Sequence, residues 1–457
     1  MTALQNKGGL SNSRKVEDAL KSASETKALV IGEGVLERVA ELFIEQFPDK
    51  SAIVVSDQYT CNIAGRKVKE ALDRNQIKQQ EPYIFNDENL YAEYSFVEAL
   101  VENLKTHDAI PVAVGAGTIN DLVKLASHLT GRPYMCVATA ASMDGYTAFG
   151  ASITSDGAKQ TFNCPAPQAC LADIDIIAAA PPEMNASGYA DLFAKITAGA
   201  DWILADSLGV EIMDEKAWSI VQDGLKDSLS DPEGIPRGNH QAITSLTEGL
   251  MLGGFAMQWH KTSRPASGAE HQFSHLWNME HHTNRGESVS HGFQVAIGLL
   301  AVTAFYECML NSPMDRLDIA ACCDKWPTLE QYEQRAAEMF ENTDFPNIGV
   351  TEIRAKYISR ENLARRLGLL RNNWAAIKER LSLQLVPFEE VKASFRKAGA
   401  PFEPEQIGVS REYLRQSFIR AQYIRRRFTV LDIAVQTCNM DRWLDELFGK
   451  GGIWEVN

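Results

Sequence analysis

Six of the nine histidines, His260, His271, His275, His281, His282 and His291, fall within 32 residues of a 457-residue chain. In SGAEHQFSHLWNMEHH, His271 and His275 stand four residues apart, so on a helix they share one face, one turn apart. Position 272 is Gln where a zincin helix carries its glutamate base, which excludes that metalloprotease arrangement. HGFQVAIGLLAV then places His291 at or near the start of a second helix. Two imidazoles from separate helices make a catalytic metal site when a carboxylate joins them and a coordination position stays open. Asp191, in GYADLFAKITAGADW, is the carboxylate candidate, because it opens an otherwise apolar helix.

Two turns earlier in the chain carry chemistry of another kind. VAVGAGTINDLVKLA reads as a strand, the turn Gly115-Ala116-Gly117, then a helix whose first turn holds Thr118, Asn120 and Asp121. Glycines let backbone approach a phosphate, and a helix N-terminus offers N–H groups and partial positive charge to an anion. The spacing is GxGxxxD, neither the dinucleotide GxGxxG nor a Walker motif. ATAASMDGYTA follows another strand and presents Thr139, Ser142 and Asp144 at its C-terminal end, the edge where α/β sheets bind ligands. GEG (Gly32 to Gly34) follows the first strand. Asp57 ends the second, where a carboxylate commonly holds a ribose hydroxyl; its charge would repel a 2′-phosphate and favour NADH over NADPH.

These groups need elements to position them. Residues 28–34, 51–57, 82–85, 110–117 and 133–139 are short β-branched runs, and 35–46, 61–74, 95–107 and 118–129 have helical spacing between them. Strands alternating with helices predict βαβ units and a buried, mostly parallel sheet. After Pro181 and Pro182 the period becomes helical, with helices expected over 189–209, 243–260, 291–310 and 414–428. The expected organisation is a polar N-terminal extension (1–26), an α/β nucleotide-binding domain (27–180) and an all-helical metal-binding domain (181–457).

Composition bounds the partners. A formal charge of −15 argues against nucleic acid and anionic membranes, which are bound through excess positive charge. The eight cysteines form no CxxC pair, and only Cys322 and Cys323 are adjacent, as expected of reduced thiols in a cytosolic protein. The polar start MTALQNKGGLSNSRK lacks a signal-peptide core, and VAIGLLAVTAFY is too short for a membrane span; a cytoplasmic protein is expected.

Taken in order, GAGTINDLVKLA, TAASMDGY, GYADLFAKITAGADW, SGAEHQFSH, HGFQVAIG and YIRRRFTVLDIA resemble the glycerol-1-phosphate dehydrogenase family, a branch of the iron-containing alcohol dehydrogenase and dehydroquinate synthase superfamily. The resemblance covers Lys27 to Leu447. It implies a Rossmann-like N-terminal domain, a helical C-terminal domain and an active site in the cleft between them. The implied activity is reversible NAD(P)H-dependent reduction of dihydroxyacetone phosphate to glycerol-1-phosphate with one divalent metal, usually zinc, with nickel or iron also accepted by such ligands. Matched by motif, the metal ligands are Asp191, His271 and His291. Cofactor contacts are Gly117, Thr118, Ile119, Asn120 and Asp121 with Thr139, Ala140, Ala141 and Ser142, and Asp57 on the ribose. Substrate contacts are Asp144, Asp191 and His275, the last, with Asp191, counted as catalytic. The partner is a phosphorylated triose, and the family is compatible with a homodimer.

Two departures stand out. Four residues after Asp144 this chain has Ala148 where the family commonly has a cofactor-touching serine, so that contact is expected to be weakened or rearranged. His271 to His291 is also a long spacing, leaving EHHTNRGESVS as a loop. A phosphate entering so acidic a chain needs local cations, for which Lys159, Lys195 and Arg264 are nearest the motifs, whereas Arg420, Arg425, Arg426 and Arg427 are expected to form ion pairs or packing contacts on a helix. The alternatives are another polyol dehydrogenase such as glycerol dehydrogenase, dehydroquinate synthase, which would typically present Glu where Asp191 stands, and a catalytically silent nucleotide- and metal-binding protein.

Overall fold

The computed structural model describes residues 12–87, 90–155 and 158–456. The chain forms two compact units, Met1–Phe193 with Lys216–Pro265, and Ala194–Glu215 with Ala266–Asn457. The sheet ends before residue 180, but helix Pro182–Phe193 and the segment Lys216–Pro265 group with the first unit. Within the expected N-terminal extension, helix Asn12–Ser22 lies against helix His240–His260 of the same unit.

In the first unit, strands β1 (Ala28–Gly32), β2 (Ala52–Asp57), β3 (Tyr83–Phe85), β4 (Ile110–Gly115) and β5 (Met135–Ala138) form where β-branched runs predict them. Three further strands had no such signal: the hairpin β6 (Ala151–Ser155) and β7 (Ala158–Phe162), and β8 (Ala169–Asp173). The six-stranded sheet has the order β1-β8-β5-β4-β2-β3, with every pair parallel. Its central strands are buried on both faces, which is why they read as continuous apolar runs. Val54, Val112, Val114, Val137 and Leu171 pack with Val39, Phe43 and Leu72 from the covering helices. Helical crossovers leave β2 and β4 toward opposite edges, so the crevice of a doubly wound sheet opens beyond their C-terminal ends, where Asp57 and Gly115 stand.

The second unit is helical. Helices Ala269–Met279 and His291–Asn311 pack closely because position 298 is glycine: a Cβ there would lie 2.4 Å from the Glu270 carbonyl oxygen. Phe273, Phe305 and Phe418 fill the adjacent core, with ring centroids 5.0 Å (Phe273–Phe418) and 4.4 Å (Phe305–Phe418) apart. Among the described residues, His291–Asn311 is the one helix long and apolar enough to cross a membrane, against the shorter run expected from sequence; its apolar window is 83% buried, as in a core helix. The helix expected over 189–209 is divided at Ala194 into Pro182–Phe193 and Lys195–Ser207. The helix expected over 414–428 is Arg411–Ala421 only, so Arg425, Arg426 and Arg427 lie outside it. Two of them make the expected contacts: Arg426 pairs with Glu352 at 2.8 Å and Arg427 donates to the Ser267 carbonyl at 2.6 Å, while Arg420, within the helix, pairs with Glu280 at 2.5 Å.

Candidate active site

The two turns read from sequence sit side by side on the sheet of the first unit. Gly115 and Ala138 are register partners at the ends of β4 and β5, and the Thr139 N–H donates to the Gly115 carbonyl at 3.2 Å. Helix Gly117–Leu129 starts directly from the first turn, and its N-cap, Ala116, supplies no side-chain cap. Its leading N–H groups are therefore not satisfied by that residue, as an anion-binding N-terminus requires. Asp57 is itself an N-cap, with Oδ1 accepting from the Thr60 N–H at 2.7 Å and from the Thr60 hydroxyl at 3.0 Å. The GEG turn has a structural engagement too: the Gly34 N–H donates to Asp175 Oδ2 at 3.0 Å.

The side chains of Asn120, Asp121 and Lys124 on helix Gly117–Leu129 are engaged within the protein. Buried Asn120 accepts from the Tyr134 hydroxyl at 3.0 Å, and Asp121 Oδ2 accepts from the Ser152 N–H at 3.1 Å. Lys124, which sequence reasoning missed, is buried and its ammonium donates to the carbonyls of Gly145, Ala148 and Gly150 at 2.8, 2.9 and 3.0 Å. An ammonium has three donors, and all three are used. The signal was present in LVKLA, a lysine inside the apolar run of a helix that must cover a sheet. Lys124 thus holds the loop after Asp144 in shape. Tyr146, whose phenol is pushed up by burial, adds a 2.6 Å bond to the Ala140 carbonyl, and Gln258 adds one of 2.6 Å to the Thr147 carbonyl. Ala148, the departure from the family pattern, is buried in this loop with its carbonyl on Lys124.

The second turn is fixed from helix Pro182–Phe193. The Ala141 N–H donates to Asn185 Oδ1 at 2.9 Å, and the Ser187 hydroxyl donates to the Ser142 carbonyl at 3.3 Å. Gly188 lets the turn and helix touch, since a Cβ there would stand 1.8 Å from the Ala141 carbonyl oxygen. The same helix carries Asp191, fully buried, whose Oδ2 accepts from the Asp144 N–H at 3.0 Å. The first unit therefore joins Asp191, Asp144 and both turns in one scaffold.

The second unit holds His271, His275 and His291. The His271 and His291 rings are 5.3 Å apart between centroids, and His271 and His275 are 6.4 Å apart. His271 Nδ1 lies 2.8 Å from Glu270 Oε1. Glu270 is buried and also accepts from the Gly268 N–H at 2.5 Å and the Thr197 hydroxyl at 2.8 Å. Burial alone would raise its carboxyl, but the bonds from His271 and Gly268 outweigh burial and hold it below the usual range. An ionised carboxylate can only accept, so His271 carries a proton on Nδ1, and in the neutral ring the lone pair is then on Nε2. Glu270 was not recognised from sequence, although it directly precedes His271. His291 is the first residue of its helix, and its Nδ1 lies 3.2 Å from the Ser274 hydroxyl.

The remaining histidines of the cluster have other partners: His260 bonds Thr262 at 2.7 Å, His281 faces Asp344 at 3.0 Å, and His282 bonds the Ile407 carbonyl at 2.7 Å. Of the three candidate phosphate cations, Arg264 in the first unit and Lys195 in the second are both buried, not solvated. The side chain of Lys159 lies outside the described residues.

A parallel sheet with a phosphate-type helix N-terminus and a helical unit carrying paired histidines define a class. Residues 30–181 match the iron-containing alcohol dehydrogenase family. In solved structures the fold resembles glycerol dehydrogenase from Schizosaccharomyces pombe, with a TM-score of 0.58 at 17% identity, covering 93% of this chain and 92% of that one. In sequence, the chain is 30% identical to glycerol-1-phosphate dehydrogenase (NAD(P)+) of Geobacillus thermodenitrificans, covering 84% of this chain and 86% of the relative. It is 28% identical to the protein of the same name from Geobacillus stearothermophilus, covering 88% and 91%. The chain belongs to the glycerol-1-phosphate dehydrogenase family, and it is an NAD(P)-dependent oxidoreductase of the alcohol dehydrogenase superfamily.

Proposed function

We propose that the protein reduces dihydroxyacetone phosphate to glycerol-1-phosphate, reversibly, with NAD(P)H and one divalent metal, zinc by preference, held by Asp191, His271 and His291. The observation that carries the metal reading is the pair of imidazoles 5.3 Å apart whose Nδ1 atoms both face oxygen partners, Glu270 and Ser274. That donor set fits the metal, because ligating histidines are typically oriented through the ring nitrogen that does not bind it. A bound divalent cation would supply Lewis-acid polarisation of the substrate carbonyl.

The chain's own residues do the rest. The uncapped start of helix Gly117–Leu129 suits the cofactor pyrophosphate, Thr139 to Ser142 would add further cofactor contacts, and Asp57 suits a ribose hydroxyl. The substrate phosphate requires cations, and Arg264 and Lys195, both buried, are the candidates. His275, one helical turn from His271 and partly exposed, delivers the proton that the reduced carbonyl oxygen needs. The phosphate in the relatives' name favours the phosphorylated triose over glycerol itself.

His275→Ala should lower turnover by about 10²-fold or more, the usual worth of general acid–base catalysis, while bound zinc stays near one per chain. Steady-state kinetics and metal analysis of the same preparation check this. Loss of zinc from the variant would make His275 a ligand or a structural residue instead of a proton donor.

A further inference from the structure

The hydrogen-bond chain behind His291 has a direction, and one end fixes it. The Gln294 side-chain amide reaches the Val289 carbonyl at 3.4 Å and Asn278 Oδ1 at 3.2 Å. A backbone carbonyl can only accept, so the NH₂ of Gln294 must face it, and Gln294 Oε1 must face the other way. There it meets the Ser274 hydroxyl at 3.0 Å. A hydroxyl has one proton, and here it goes to Gln294. Toward Asn278 Nδ2 at 3.4 Å and His291 Nδ1 at 3.2 Å, Ser274 can therefore only accept. A neutral His291 must then carry its proton on Nδ1 and its lone pair on Nε2. Ser274 and Gln294 are both buried, so water does not scramble the order.

We infer that Gln294, acting through Ser274, is a positioning residue that sets the tautomer of His291 and thereby selects Nε2 as its metal-binding nitrogen. Gln294 touches neither metal nor substrate in this scheme. His271 reaches the same tautomer by a different device, the Glu270 carboxylate at 2.8 Å, so the two histidines are oriented independently. The inference rests on the metal-site reading above only for its consequence. The tautomer itself is a property of the metal-free chain.

Two measurements on the full-length protein separate these points. Long-range proton–nitrogen NMR on histidine-labelled, metal-stripped protein should show His291 protonated at Nδ1. In Gln294→Met the acceptor is gone, Ser274 can donate to His291, and the signal should move toward the Nε2-protonated form. Zinc titration against a chromophoric chelator should then give an affinity about 10- to 100-fold lower in Gln294→Met, the range found when partners behind metal ligands are removed. Gln294→Glu keeps an acceptor for Ser274 but opposes a carboxylate to the Val289 carbonyl. It should lose thermal stability and yet bind zinc more tightly than Gln294→Met. If zinc affinity in the two variants instead followed their melting temperatures, Gln294 would be structural only. An Nε2-protonated His291 in the wild-type protein would overturn the inference outright. An Nδ1-protonated His291 in a wild-type protein that binds no zinc would uphold the tautomer control and refute the metal site.

Discussion

His271→Ala should remove the divalent metal and, with it, nearly all reductase activity. The imidazole is buried, held by a carboxylate that is itself fixed by a backbone N–H and a hydroxyl, and it stands 5.3 Å from His291 between ring centroids. Its loss removes a proposed ligand and also strands Glu270 as a buried carboxylate without its imidazole. Zinc affinity should fall by more than about 100-fold, beyond what removal of a partner behind a ligand costs. If the metal contributes several kcal/mol to stabilising the transition state, turnover should fall by about 10³-fold or more. Chelator competition and single-turnover kinetics check both numbers. A variant that kept stoichiometric zinc would show that His271 is not a ligand.

Lys124→Met should strongly destabilise the first unit. It keeps the length of the side chain but leaves the carbonyls of Gly145, Ala148 and Gly150 without their shared cation. A buried polar group deprived of its partner costs about 1–3 kcal/mol. With three involved and some relaxation of the loop, the loss should be about 3 kcal/mol or more. Urea unfolding compared with wild type measures it. Because the same loop begins at Asp144 and follows the Thr139 to Ser142 turn, KM for the nicotinamide cofactor should rise as well. A loss below about 1 kcal/mol with unchanged KM would mean that the clamp does not organise the loop.

Much of this architecture was legible in the sequence, and the misses share a cause. Strands β1, β2, β4 and β5 announced themselves because double burial selects Val, Ile and Ala, and strand β8 did not because ACLAD has little intrinsic strand preference. Its neighbours β1 and β5 impose the conformation. The helix expected to run through Phe428 stops at Ala421, and the Gln422 carbonyl is taken by the Lys356 ammonium at 2.5 Å. Tertiary bonding there overrides a helical pattern.

At the proposed site, sequence offered candidates by type and spacing, because the chemistry they would do dictates both: GAG before a helix, Asp191, His271, His275, His291. The residues that hold them were not. Lys124, Glu270, Ser274 and Gln294 act through partners far away in the chain or through the direction of a proton, and neither has a sequence period.

The central claim, a metal-dependent reductase for a phosphorylated triose, is tested most directly by following the nicotinamide absorbance of metal-stripped protein. NADH or NADPH would be supplied with dihydroxyacetone phosphate or dihydroxyacetone, before and after zinc is restored. Oxidation should be absent without metal, return with zinc, and be much faster with the phosphate ester than with dihydroxyacetone. Equal rates on the two substrates, or no oxidation with zinc, nickel or iron, would contradict it.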